Sequence, residues 1–487
     1  MEEKILQAHG EFNKVIDLVT REALDREIHV VEGEIFRMLL RLGRILLELF
    51  LCSVGTGCVG QTVTMEDGSV LRYRRDSPRK YLSIFGQVSI VRAYYLKDGA
   101  KGVFPLEAQL NLPKRMYSYL LQKWMTLWGV RTTYKGAVET LEEFLGLDLA
   151  HRPIQRVTHD LSAVVDEFND SLEIPEASEE GPILIETFDG KGIPMCKPNP
   201  DQPKTADKPG KKKMALVTAT VSGDPHDRRP VEEIADGLVN EGATTQRSKK
   251  TLRPKPHHKR IIASLTQDRS TVMNKAHKAA RSRIHPDTVL KAVVADGEKN
   301  LWNFADELFP DWIQVLDIIH VRDKLWLAAH LHYKKETPDA KEYVIERLVA
   351  LLTGQVDLII EDFHIAMEDG SLSSSKAQTL RSKVLGYFVN NRDRMQYDKY
   401  LAMGLPIGSG IIEGTCKNLI NDRMERSGMR WSPEGAEAIL KLRSLHLTGL
   451  WNDFWTFRTQ REKKAIHSGQ RITMKQQPYH WNVDKAA

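Results

Sequence analysis

The sequence has few cysteines and no pattern that pairs them. Cys52, Cys58, Cys196 and Cys416 are present, and none forms a Cys-X-X-Cys pair. This spacing argues against a zinc ribbon and against a disulfide framework. It fits a reducing compartment, and we expect a cytoplasmic location.

Long apolar runs are also missing. The most apolar stretch, residues 35–51, is interrupted by Arg37, Arg41, Arg44 and Glu48. It is too short and too charged to span a bilayer, and its period predicts an amphipathic helix. The N-terminus begins Met-Glu-Glu-Lys and lacks the charged-then-apolar layout of a signal peptide.

Three common catalytic signatures are absent as well. The sequence has no GxxxxGK[ST], no HExxH and no GxSxG motif, which argues against P-loop, zincin and α/β-hydrolase chemistry. The 487 residues are 41% hydrophobic and 28% charged, enough for several globular domains. The net charge of +5 favours polyanionic partners only weakly.

The first third of the chain alternates between helical and β patterns. Residues 12–51 predict one long helix or two, because apolar residues recur at three- and four-residue steps. The turn Glu66-Asp67-Gly68-Ser69 is a hairpin signal. Strands are predicted around and after this turn, at residues 62–65, 70–74, 81–85 and 88–95.

A second helical region follows. Its helices are predicted at about 114–128, 132–146 and 153–170. The third has Pro153 at its first position, and its apolar stripe leaves a set of polar and basic side chains on other faces: Arg152, Gln155, Arg156 and His159. This arrangement suggests a DNA-binding helix-turn-helix. A plain helical linker bundle is the alternative, and the pattern leaves both open.

The middle of the chain predicts a mixed α/β domain. Apolar runs indicate buried strands at residues 183–188, 214–221, 289–295 and 312–319. We also predict a long helix over 258–283 and only helices between 320 and 400. The basic loop 239–260 contains Lys249 and Lys250. Such a loop is either solvated or in contact with phosphates.

Three carboxylates stand where these elements end. Asp189 and Asp296 each follow an apolar run and precede glycine, and Glu413 lies in the first turn of a helix that Ser409 is placed to cap. Carboxylates so placed hold divalent cations for phosphodiester chemistry. The alternative is structural, since Asp-Gly is a common turn dipeptide and the helix dipole favours an early glutamate.

A further pair lies close by in the pattern. Asp317-Ile318-Ile319-His320 offers a carboxylate and an imidazole at a predicted strand end. The pair suits a metal site, but it also suits a strand end followed by a helix cap.

The block from Gly408 to Trp431, GSGIIEGTCKNLINDRMERSGMRW, resembles the third catalytic region of bacterial insertion-sequence transposases of the ISKra-four family. These are similar to the Mutator and hAT transposases. Val293-Val294-Ala295-Asp296-Gly297 and the Asp317 to His320 element also fit. The resemblance covers about residues 80–456. Family members often carry cysteines after the hairpin, and residues 95–112 here have none, which puts any structural zinc in doubt.

The resemblance implies an RNase H-like catalytic domain with an all-α insertion, preceded by helical and β-hairpin DNA-binding regions. It implies Asp189, Asp296 and Glu413 as catalytic residues that bind two Mg²⁺ or Mn²⁺ ions, with Asp317 and His320 beside them. Further candidates for DNA contact follow Glu413 in the sequence: Arg423, Arg426, Arg430 and Trp431. A structural salt-bridge cluster is the alternative for these residues.

We therefore expect a DNA transposase that binds terminal inverted repeats and target DNA as a dimer or larger assembly, associated with the bacterial nucleoid. The alternatives are a transposase-derived DNA-binding protein without catalysis and an RNase H-fold nuclease without strand transfer. The expected regions are 1–112 (helices and β-hairpin), 113–178 (helical, DNA-binding), 179–320 (first part of the catalytic core), 321–405 (all-α insertion), 406–455 (C-terminal core helices) and 456–487 (basic tail).

Overall fold

The computed structural model describes residues 1–65, 68–97, 102–196, 212–226, 229–240, 254–335 and 337–468. The chain forms two units. One comprises Met1–Val164 together with the chain from Trp451 onward, and the other comprises Val165–Leu450. Lys249 and Lys250, which were predicted to contact DNA, lie outside the described residues.

The first unit begins with two helices, α1 (Glu2–Asp17) and α2 (Ile28–Val54). A π-helical turn over Leu18–Glu22 ends α1. Ion pairs join the two helices in reverse order along the chain, between Lys4 and Glu48 and between Glu11 and Arg41, so the helices are antiparallel. The predicted helical region 12–51 is thus confirmed as parts of two helices.

An antiparallel sheet follows, with the order β1-β2-β3. Its strands are β1 (Thr62–Thr64), β2 (Val70–Ser83) and β3 (Gly86–Leu96). The strands predicted at 70–74 and 81–85 are one long strand here, which turns into β3 at Gly86, a residue with φ of 113°. Positive φ is favourable only for glycine, and this explains the residue at that turn.

The remaining helices of this part are α3 (Pro105–Leu110), α4 (Tyr119–Arg131), α5 (Tyr134–Leu145) and α6 (His151–Ser162). Ile154, Val157 and Leu161 are buried on α6. The polar and basic side chains predicted for its other faces are exposed: Arg152, Gln155, Arg156 and His159. The first two predicted helices are confirmed, whereas the third, 153–170, is divided into α6 and a separate short helix over Val165–Asp170. The apolar stripe of α6 packs as its pattern indicated.

The second unit is built on a five-stranded mixed sheet with the order β6-β5-β4-β7-β8. Its first elements, in chain order, are α7 (Val165–Asp170), β4 (Ile183–Pro194), β5 (Lys212–Gly223), α8 (Val231–Val239), β6 (His257–Ser264), α9 (Arg269–Arg281), β7 (Leu290–Ala295), α10 (Lys299–Leu308) and β8 (Ile313–Leu316). Strand β5 runs antiparallel to β4 and β6, whereas β4, β7 and β8 are mutually parallel.

Two element predictions were wrong in this unit. The long helix over 258–283 is a strand, β6, followed by the shorter helix α9, because Ile261 and Ile262 pair with β5. The apolar run 312–319 is a short strand that ends at Leu316, and a helix begins at Ile318. In both places tertiary pairing overrides the local pattern.

Helices alone fill the described part of 321–405, as predicted. They are α11 (Ile318–His332), α12 (Pro338–Leu352), α13 (Val356–Glu368), α14 (Ser374–Leu380), α15 (Gly386–Asn391) and α16 (Tyr397–Ala402). A π-helical turn over Arg381–Leu385 joins α14 to α15. We refer to these residues as the helical insertion.

The second unit ends with α17 (Gly410–Cys416), α18 (Asp422–Met424) and α19 (Pro433–Leu447). Helix α20 (Trp451–His467) then belongs to the first unit. A basic tail was predicted from residue 456, but its first twelve residues are helical, and buried Phe454, Trp455 and Glu462 hold them. Within the described residues, no helix combines the length and the apolar character needed to cross a membrane.

Candidate active site

The parallel pairing of β4, β7 and β8 stops at one level of the sheet. In each of the three segments, the next residue is an aspartate. The register aligns Phe188 of β4 with Ala295 of β7, and Ala295 with Leu316 of β8. The next residues along the three strands are Asp189, Asp296 and Asp317. Ligand sites in sheets of this kind collect at the carboxyl ends of parallel strands, so the register itself builds an acidic site.

Asp189 differs from its prediction in one respect. The sequence predicted that its strand ends there, but β4 continues to Pro194, and Asp189 pairs with Val217 of β5. Antiparallel pairing with β5 therefore extends β4 beyond the last residue that pairs with β7. Asp189 and Gly190 therefore lie inside a strand rather than in a turn.

Asp296 begins a tight turn that its own neighbours fix. The Glu298 amide donates to Asp296 Oδ1 at 3.0 Å, and Trp302 Nε1 donates to the Asp296 carbonyl. Both donors come from the start of α10, so the helix that follows β7 orients the carboxylate. Trp302 is buried against Phe188 of the neighbouring strand, which ties this turn to β4.

Asp317 is fully buried and makes three oriented contacts. Its amide donates to the carbonyl of Ala295 at 2.9 Å, and its Oδ1 accepts from the Ile319 amide at 2.9 Å, which caps α11. The Ser409 hydroxyl donates to Oδ2. The strand-end and helix-cap interpretation of this residue is therefore confirmed, and the cap also lies beside the other aspartates.

Glu413 lies in the first turn of α17, as predicted. Ser409 occupies the N-cap position, but its hydroxyl bonds Asp317 rather than the helix amides. Ligand atoms of Asp317, His320 and Glu413 lie within 4.8 Å of one another, a spacing that one metal ion can bridge. We call Asp189, Asp296, Asp317, His320 and Glu413 together the acidic cluster.

Burial and neighbouring carboxylates raise the pKa values of Asp189, Asp296 and Glu413. Burial and then the charge of Asp296 raise the pKa of Asp189. Burial also raises the pKa of Asp296, with further contributions from Glu298 and Asp317. For Glu413, burial and then the charge of Asp317 raise the pKa, against the opposing effects of His320 and Arg322. Burial is therefore the largest cause for all three groups, and neighbouring carboxylates add to it.

Cys416 is a site residue that the sequence analysis missed. Its thiol is buried one helical turn after Glu413 and forms a hydrogen bond with Asp189. Burial, followed by the charge of Asp189, raises the pKa of the thiol, so it remains a neutral donor to the carboxylate. Its position three residues after Glu413 on the same helix was the available signal.

The predicted DNA contacts after Glu413 divide into two kinds. Arg423 and Trp431 are 1% and 7% exposed, and the guanidinium of Arg423 lies 4.8 Å from the centre of the Trp431 ring. Trp431 also bonds Pro194 and Cys196 through its backbone. These two side chains therefore pack at the end of β4, and DNA contact by them stays a prediction. Arg426 and Arg430 are exposed.

The donor set of the acidic cluster suits a hard divalent cation. Four carboxylates and one imidazole come from the middle of β4, from the ends of β7 and β8 and from the first turns of α11 and α17. Oxygen-rich sets of this kind bind Mg²⁺ or Mn²⁺. A cation would also balance the excess of negative charge, so the residues present fit such an ion.

The sequence matches no family model and no curated protein. Among solved structures, the chain is similar to the Drosophila P element transposase strand transfer complex, with 11% identity and a TM-score of 0.26 over 73% of this chain and 86% of that chain. A TM-score of this size supports no inference about fold or function, and we therefore rely on the residues of the acidic cluster.

Proposed function

We propose that this chain is a DNA transposase that cleaves DNA at the ends of a mobile element and joins those ends to target DNA. Asp189, Asp296 and Glu413 are its catalytic carboxylates. The observation that carries this proposal is the aligned register that puts an aspartate after each of three parallel strands.

The topology of the second unit supports an RNase H-like assignment. In chain order within this sheet, the strands are arranged third, second, first, fourth, fifth, with only the second antiparallel to its neighbours. Asp189 lies on the first strand, Asp296 follows the fourth, and Glu413 lies on a later helix. This is the placement that the resemblance to the insertion-sequence transposases implies for the three carboxylates.

Asp189, Asp296 and Glu413 would hold the divalent cations, with Asp317 and His320 adjoining Glu413. When bound, such cations activate an attacking oxygen and stabilise the leaving oxygen of a phosphodiester. The chain's own contribution is orientation. The Glu298 amide orients Asp296, the Cys416 thiol orients Asp189, and the Ser409 hydroxyl orients Asp317.

Two displacements complete the proposed reaction. Water attacks the phosphodiester at the element end, which leaves a 3′-hydroxyl on one product and a 5′-phosphate on the other. The 3′-hydroxyl then attacks a phosphodiester of the target, and the target's own 3′-oxygen departs. Two ends are processed together, so we propose a dimer or larger assembly on DNA.

DNA recognition is assigned to the helical region of the first unit. Arg152, Gln155, Arg156 and His159 form an exposed polar group on α6, and their neighbours Ile154 and Val157 anchor the helix in the core. A helix anchored on one face and basic on the other suits the major groove.

The test is a cleavage and strand-transfer assay on labelled DNA that carries the ends of the element encoding this chain. We would compare the wild type with Asp189→Asn, Asp296→Asn and Glu413→Gln, and with the exposed control Glu307→Gln. Each cluster variant is expected to bind DNA but to lose cleavage by about a thousand-fold or more, roughly 4 kcal/mol of transition-state stabilisation. The control should cleave like the wild type.

The remaining outcomes separate the alternatives. Cleavage without joined product would favour an RNase H-fold nuclease, and binding without cleavage in either Mg²⁺ or Mn²⁺ would favour a DNA-binding protein derived from a transposase. Normal cleavage by any cluster variant would remove that residue from the catalytic set.

A further inference from the structure

A tyrosine of the helical insertion lies against the turn that carries Asp296. The ring of Tyr387 is so close to Gly297 that a Cβ atom at that glycine would lie 2.1 Å from ring atom Cε2 and 2.8 Å from the hydroxyl oxygen. No side chain fits there without displacing the ring. Because residue 297 is a glycine, the Tyr387 hydroxyl can lie against the backbone directly after Asp296.

Three tyrosines of the insertion allow a direct comparison. The hydroxyl of Tyr397 donates to the carbonyl of Leu316, and that of Tyr400 donates to the carbonyl of Gln314, both at 2.9 Å. The hydroxyl of Tyr387 is equally shielded from solvent, yet it has no hydrogen-bond partner among the described residues. A buried polar group without a partner destabilises the fold, so such a group calls for an explanation.

The hydroxyl of Tyr387 lies close to carboxylates of the acidic cluster. Burial, followed by the negative charges of Asp296 and Asp317, raises the pKa of Tyr387, so these carboxylates act on it directly. The Lys324 ammonium lies 4.9 Å from the centre of the ring. Lys324 of α11 and Gly297 thus lie on two sides of the ring.

A π-helical turn sets this position. Arg381–Leu385 is π-helical and ends directly before Gly386 and Tyr387. Such turns add a residue to a helix and occur often at functional sites, because they redirect the side chains that follow. Here the following side chain is the tyrosine that reaches Gly297.

We infer that the Tyr387 hydroxyl donates a hydrogen bond to a phosphate oxygen of the DNA held at the acidic cluster. A neutral phenol is a donor that adds no charge to an already acidic site. No acceptor of the described residues bonds it, and a phosphate oxygen of bound DNA would supply one. This inference rests on the proposed function and makes the helical insertion a part of the DNA-binding site.

The test compares Tyr387→Phe with Tyr400→Phe in the full chain. Tyr400→Phe removes a hydroxyl that has a partner and should lower the melting temperature, with cleavage remaining within about two-fold of wild type. Tyr387→Phe removes a hydroxyl without one, so without metal and DNA its melting temperature should equal or exceed that of wild type, by about 2 °C. Its cleavage rate should fall by about ten-fold or more, because hydrogen bonds to charged groups are the stronger kind.

Each other result overturns the inference in an identifiable way. A fall in melting temperature like that of Tyr400→Phe would make Tyr387 a structural residue, whatever happens to cleavage. Wild-type cleavage by a stable Tyr387→Phe would remove the phosphate contact and leave the proposed function intact. Absence of cleavage in the wild type itself would instead overturn the proposed function, and the inference with it.

Discussion

Two groups of charged side chains lie beside the same five-stranded sheet, and their pKa values are shifted in opposite directions. Glu180 and Arg283 are 5% and 1% exposed, and the guanidinium bonds both carboxylate oxygens, at 2.6 and 2.7 Å. Although burial acts to raise the pKa of Glu180, the hydrogen bonds from Arg283 and Ser222 bring it below its ordinary value. In the acidic cluster the pKa values of Asp189, Asp296 and Glu413 are all raised.

The difference separates a structural group from a functional one. A buried charge that holds a fold together is paired by the fold itself. In the acidic cluster the fold instead directs hydrogen-bond donors such as Ser409, Cys416 and the Glu298 amide at the carboxylates. The pKa values of Asp189, Asp296 and Glu413 nevertheless stay raised. This is the arrangement expected where the compensating charge belongs to a ligand.

The largest effect on stability should come from breaking the ion pair between Glu180 and Arg283. Arg283→Met leaves the Glu180 carboxylate buried without its partner and should lower the free energy of unfolding by about 3–5 kcal/mol. Urea unfolding monitored by circular dichroism measures this change. The double variant Arg283→Met/Glu180→Met should recover most of the loss, and a double variant as unstable as the single one would show that the pair is not the cause.

Glu186 sharpens the comparison, because it lies on β4 between the two groups and is not part of the acidic cluster. Among the described residues it forms no ion pair. Burial raises its pKa from 4.5 to about 8, against the bond from Thr220 and the charge of Arg283. Between those pH values the unfolded chain loses a proton that the folded chain keeps, so the free energy of unfolding should fall by about 1.4 kcal/mol per pH unit.

The Glu186→Gln variant has no titrating carboxyl group at this position, so it should not lose stability in this way as the pH rises. Compared with wild type, its stability should rise from pH 5 to pH 8, by about 3 kcal/mol in total. Urea unfolding at a series of pH values gives the difference. A difference that does not change over this range would mean that Glu186 ionises normally in the folded protein.

A smaller effect is expected from Asp317, which adjoins the catalytic carboxylates and is also a helix cap. Asn can replace Asp as a cap, so Asp317→Asn should leave stability almost unchanged. Cleavage should fall by about 10- to 100-fold, the usual range for residues that support a metal site. A comparable loss of cleavage in the exposed control Glu307→Gln would show that the effect is not specific to the site.

Much of the acidic cluster was predictable because its signals are local. Asp189 and Asp296 follow apolar runs, and Asp317 precedes a helix, so the sequence alone selected these aspartates as candidates. The strand-free insertion was likewise evident from its helical period. What brought the three aspartates together, the shared register of β4, β7 and β8, is a property of the folded sheet.

The parts that were missed depend on contacts between distant segments. Four polar residues stand at the start of β6, His257 to Arg260, and they concealed a strand that pairs with β5. Arg423 and Trp431 carry the side chains of a DNA-binding surface, yet they pack on each other. Tyr387 meets Gly297 across 90 positions of sequence, and no local pattern reports such a contact.

The raised pKa values of Asp189, Asp296 and Glu413 predict that the acidic cluster binds a divalent cation. The most direct measurement is calorimetric unfolding of wild type, Asp296→Asn and Glu307→Gln with and without Mn²⁺, at constant ionic strength and without DNA. We predict that saturating Mn²⁺ stabilises wild type and Glu307→Gln by about 2–3 kcal/mol at a hundred-fold excess over the dissociation constant. Asp296→Asn should be at least as stable as wild type without the ion and should respond little to it. An equal response in all three proteins, or none in the wild type, would contradict the claim.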